Sequence, residues 1–69
     1  MTEQEKLKLS ILAEIDTGLM TQKSATELAD MIDAGKFDDD INDEGWSVMS
    51  AIDQIDMVIG LAEIYGWKA

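Results

Sequence analysis

The stretch EGWSVMSAIDQIDMVIGLAEIY, residues 44–65, decides the fold class. On a helical wheel, Val48, Ile52, Ile55, Ile59 and Ala62 make one apolar stripe, and Trp46, Met57, Leu61 and Ile64 gather on a roughly opposite one. Asp53, Asp56 and Glu63 occupy the narrow polar strip between them. The chain has no proline to interrupt the pattern, and Gly60 is tolerable inside a helix at a cost of about 1 kcal/mol. The pattern predicts one long helix from about Glu44 to Tyr65. A helix that is apolar all round is usually buried on several sides, so this one needs companions.

Two shorter helices are available upstream. Thr2 and Glu5 have capping-box spacing, and Leu7, Ile11, Leu12, Ile15 and Leu19 then recur at helical intervals, which predicts a helix over 3–17. Leu9 lies outside that stripe, and Gly18 is placed to stop the helix. Ser24 and Glu27 repeat the box and open a second helix at about residue 25, which Gly35 closes. Its apolar face is Ala25, Leu28, Ala29 and Ile32, and its acidic face is Glu27, Asp30 and Asp33. Residues 36–45 read as a connecting loop in which Phe37 and Ile41 tuck back onto the core. The expected architecture is all-α: a single domain over 1–69, with two shorter helices packed on a longer C-terminal helix.

Composition bounds the chemistry. Fifteen carboxylates face five lysines, with no arginine and no histidine, on a chain that is 46% hydrophobic. That combination describes a folded protein with an acidic surface, because a disordered acidic tail lacks the large aliphatic residues that burial needs. With neither cysteine nor histidine, disulfides are impossible and a structural zinc site is not expected. Asp40, Asn42, Glu44 and Gly45 match the opening of a calcium loop, but Ala51 stands where the closing bidentate glutamate belongs, so no metal is expected there. The start of the chain lacks a secretion signal and no apolar run is long enough to cross a bilayer, which makes a cytoplasmic location the expectation. Anionic lipid and bare nucleic acid should both repel such a surface. The chain carries no phosphate-binding glycine loop and no His or Cys nucleophile system, so neither an enzyme nor a cofactor is expected.

Two candidate surfaces remain. Residues 27–44 hold Glu27, Asp30, Asp33, Asp38, Asp39, Asp40, Asp43 and Glu44 against Lys36 alone. Helix neighbours three or four apart lie about 5–6 Å from each other, the right order for presenting charge to a groove that binds phosphates. The second surface is the apolar surplus of the C-terminal region, Trp46, Met57, Leu61, Ile64 and Trp67, residue types that serve as binding anchors. In size and charge the chain resembles small phage-encoded inhibitors, including DNA mimics, a compositional likeness that rests on no motif. The expected function is a protein-binding inhibitor or modulator that docks an acidic face on a basic surface of a partner, a nucleic-acid-binding surface included. The alternative is an oligomerisation or scaffold module that pairs through the apolar faces of the C-terminal helix.

Overall fold

Thr2 Oγ1 accepts from Glu5 N at 3.1 Å and donates to the Glu5 carboxylate at 3.3 Å, so the first helix opens on the Thr2 cap that its sequence predicts, with Glu5 reaching back to the Thr2 hydroxyl and not to its backbone N–H. In the computed structural model, which describes residues 1–68, this helix is α1, Glu3–Asp16. Three further helices follow, α2 over Gln22–Asp33, α3 over Asp38–Ile41 and α4 over Ala51–Ile64. The fold is all-α, as expected, with four helices in place of three.

The boundaries differ from expectation where a different hydroxyl wins the cap. Thr21 Oγ1, not Ser24, accepts from the backbone at the start of α2, and Ser24 sits buried in the first turn. The long C-terminal helix is shorter than predicted because Ser50 Oγ caps it through Asp53 N at 3.1 Å. Residues 42–49 are a run of turns, and the supposed loop before them contains α3. Each of α1 and α4 is 14 residues long, so the C-terminal helix is not the longest element.

All three longer helices end the same way. The amide following each terminal glycine reaches the carbonyl five residues back (Leu19 to Glu14, Lys36 to Met31, Trp67 to Ala62) while the glycine amide bonds the carbonyl three back. This is the Schellman motif, which needs a left-handed residue, and Gly18, Gly35 and Gly66 have φ of 77°, 79° and 99°. The similar sequences Ile15-Asp16-Thr17-Gly18 and Ile32-Asp33-Ala34-Gly35 are therefore the same stop, and the third copy supplies Trp67 as its following residue. Gly35 is the most constrained, since a Cβ there would stand 3.1 Å from Asp38 Oδ2. Gly35→Ala is expected to lower stability by about 1–2 kcal/mol. Gly60 lies mid-helix with open space around its Cβ position, so Gly60→Ala is expected to raise stability by about 0.5–1 kcal/mol. Urea titrations that give the same sign for both substitutions would contradict this account.

The core gathers Leu7 and Ile11 from α1, Ala25, Leu28 and Ile32 from α2, and Ile55, Val58 and Ala62 from α4. Phe37, Ile41 and Trp46 close it from the connections, Phe37 stacking on Tyr65 with ring centroids 6.0 Å apart. Phe37 and Ile41 thus turn inward as their sequence suggests. The hub is α1, which makes extended contacts with α2, α4 and α3, whereas the sequence points to the C-terminal helix in that role.

Candidate functional site

The short turn between α1 and α2 folds them back on each other, which puts the start of α1 beside the end of α2. Lys8 Nζ donates to both carboxylate oxygens of Asp33, at 2.8 and 2.9 Å, and Gln4 Nε2 donates to Asp38 Oδ1 at 3.3 Å. These contacts bring three acidic segments to one end of the molecule: Glu3 and Glu5 of α1, Asp30 and Asp33 of α2, and Asp38, Asp39 and Asp40 of α3. Glu27 lies half-buried in the middle of α2, and Asp43 and Glu44 are exposed in the turns that follow α3. Among the described residues two ion pairs form, Lys8 with Asp33 and Lys6 with Glu3, the second at 3.5 Å. Both are largely solvent-exposed pairs worth about 0–1 kcal/mol. They leave Asp30 and Asp39 exposed at that end with no lysine within ion-pair distance among the described residues.

Glu3 and Glu5 are site residues that reading the chain segment by segment missed. They join the cluster only because α1 runs antiparallel to α2. Two apolar stretches joined by a short glycine-containing turn are the sequence sign of that pairing.

The apolar candidates separate. Trp46 is in the core, 2% exposed, and therefore leaves the interface group. Leu61 and Trp67 are half-buried and packed against the core, while Met57 and Ile64 stand exposed on the outer face of α4. Met57, Leu61 and Ile64 follow at i, i+4 and i+7 and share that side of the helix. A different face of α4, about a third of a turn away, carries Ile52, Asp56, Ile59 and Glu63.

No protein-family model matches this chain, and comparisons with curated proteins and with solved structures return no match either. The chemistry of the surface has to speak for itself. Among the described residues no three carboxylates are grouped as they would be around a metal ion, and no helix is long and apolar enough to cross a membrane. The open concavities between α4 and the α1–α2 corner measure about 250 and 320 Å³, one just below and one just above the lower bound of the roughly 300–1,000 Å³ range of small-molecule sites. They suit single side chains of a macromolecule. The acids at the other end are likewise spread over a surface rather than turned into a cleft, an arrangement that can hold cationic groups by Coulomb attraction and hydrogen bonding.

Proposed function

We propose that this protein is a non-enzymatic binding modulator whose acidic end docks on a basic surface of a partner protein and works by occlusion. The reading rests on the convergence of Glu3, Glu5, Asp30, Asp33 and Asp38–Asp40 from three separate segments onto one end, where lysines pair with two of them, Lys6 with Glu3 and Lys8 with Asp33. A surface that served solubility alone has no need for its charges to converge. A groove that binds phosphate backbones is a natural target, because its lysines and arginines already gain affinity by neutralising closely spaced anions. The direct test is capture from nuclease-treated lysate of the source cells, with wild type compared against Asp30→Asn/Asp39→Asn. A basic protein retained by wild type, released by added duplex DNA and lost by the variant would support the reading. Equal retention by both chains would end it.

A second reading, self-assembly through α4, is favoured by the outer-face exposure of Met57 and Ile64, the latter 77% exposed. Sedimentation equilibrium at high micromolar concentration separates the two readings. Self-assembly requires an oligomer that Ile64→Lys dissociates, and a monomer across the range removes it.

A further inference from the structure

The surface that the sequence assigns to the core, and the fold leaves open, is the apolar trough between α4 and the α1–α2 corner. Leu19 and Ile52, placed by periodicity on core-facing stripes, are 78% and 69% exposed. They stand on opposite walls of a concavity floored by Met20, Ile55 and Ile59. A second concavity shares Leu19, Met20 and Ile59 with the first and continues to Trp67, so the two form one trough. Along α4 its wall is Ile52, Asp56, Ile59 and Glu63, spaced at i, i+4, i+7 and i+11. On α4 the first concavity is lined by Ile52, Ile55, Asp56 and Ile59 and the second by Ile59 and Glu63, so the midpoints of the two linings lie roughly five to six residues, about 8 Å, apart along that helix.

The carboxylates that line the trough are Glu14, Asp56 and Glu63, and no lysine is among its lining residues. Lys23 and Lys68 neighbour lining residues in the sequence but are not part of the lining themselves. From this we infer that the trough is a docking site for a cationic amphipathic helix of a partner protein. The helix seats apolar side chains of one face, at i and i+4 or i+7, in the two concavities and sets lysine or arginine against Glu14, Asp56 and Glu63. A helix repeats one face at four residues, about 6 Å, and at seven, about 10.5 Å, which bracket the separation of the two linings. A second copy of this chain is the poorer occupant, since it would bring a net charge of −10 against an acidic rim. The trough is separate from the acidic end described above and does not depend on it.

The probe is a 14-residue peptide of leucine and lysine with the leucines at i, i+3, i+4 and i+7 of successive turns. Its control is a peptide of the same composition with the leucines spread around the helix. The expected result is binding of the amphipathic peptide at least tenfold tighter than the control. Amide shifts in a 15N correlation spectrum should centre on Leu19, Met20, Asp56, Ile59 and Trp67. Ile52→Glu decides between apolar seating and bare charge, because the two mechanisms predict opposite signs. The new carboxylate would strengthen a purely electrostatic complex, whereas the loss of an apolar wall should weaken a seated helix at least tenfold. Position 52 is exposed, so the fold should tolerate the change, which circular dichroism checks. Asp30→Asn/Asp39→Asn should leave peptide affinity within twofold, which makes failure here distinguishable from failure of the acidic end. Equal affinity for both peptides, shifts centred on 30–44, tighter binding by Ile52→Glu, or a self-dimer giving the same shifts without peptide would each overturn the proposal.

Discussion

Trp46→Ala is expected to cost about 3–5 kcal/mol, the range for truncating a fully buried large aromatic residue. A domain of 69 residues has roughly 3–10 kcal/mol in total at the usual stability per residue, so the substitution should remove about half or more of the stability. Two separate contributions make Trp46 the largest single loss. It is the largest of the fully buried side chains. It is also the one buried residue of the turns 42–49, so its side chain fixes the place of a backbone carbonyl that accepts from Gln54 Nε2 at 2.8 Å and from Met49 N at 3.1 Å. Without the side chain the connection between α3 and α4 loses its hold on the core. The conservative partner is Trp46→Phe. The indole Nε1 is buried with no acceptor, so its removal forfeits no hydrogen bond, and only the volume difference is lost. Urea unfolding followed by circular dichroism gives both values. A loss below about 1 kcal/mol for Trp46→Ala would mean that the segment is peripheral to the core.

The expectation that residues 44–65 form one helix shows where sequence pattern and capping chemistry compete. Periodicity finds apolar residues on every side and extends the helix back to Glu44. Ser50 and Asp53 carry the spacing of a cap just before the densest apolar run, and that local signal is the one the chain obeys. Once the helix starts at Ala51, Val48 falls in a turn and Ile52 in the first helical turn, and both become exposed. What looked like a helix apolar on two sides has three faces. Ile55, Val58 and Ala62 meet the core, Ile52 and Ile59 wall the trough, and Met57 and Ile64 point outward. The glycine stops were easier to read, because left-handed backbone admits few residues other than glycine.

The acidic candidate was legible in composition but not in extent. Counting charges along 27–44 finds Asp30, Asp33 and Asp38–Asp40, yet counting cannot tell that Asp33 spends its charge on Lys8 or that Asp38 turns to Gln4. Nor can it bring Glu3 and Glu5 into the cluster, since that depends on the antiparallel pairing of α1 with α2. Within 27–44 the exposed acids with no such partner among the described residues, Asp30, Asp39, Asp43 and Glu44, are therefore the ones whose neutralisation tests binding most cleanly.

Salt should move stability and binding in opposite directions. The molecule measures 30 × 24 × 18 Å. At 0.01 M ionic strength the screening length is about 30 Å, so nearly every pair of its carboxylates repels, whereas at 0.15 M it is about 8 Å and only near neighbours do. The melting temperature should therefore rise across that range, each 1 kcal/mol of relieved repulsion appearing as about 4–8 °C in a domain of this size. Affinity for a basic partner should fall over the same range, because the same screening removes the attraction. Combining Asp30→Asn, Asp39→Asn, Asp43→Asn and Glu44→Gln should imitate salt on both counts. The variant should melt higher than wild type at low salt and bind the captured partner more weakly. Exposed ion pairs contribute about 0.2–1 kcal/mol each, so four lost pairs amount to a weakening of about fourfold to nearly a thousandfold. If the carboxylates serve solubility alone, the melting temperature still rises but affinity stays unchanged. A variant damaged in its fold loses both, so only a surface kept for binding at the expense of stability gives higher melting together with weaker affinity.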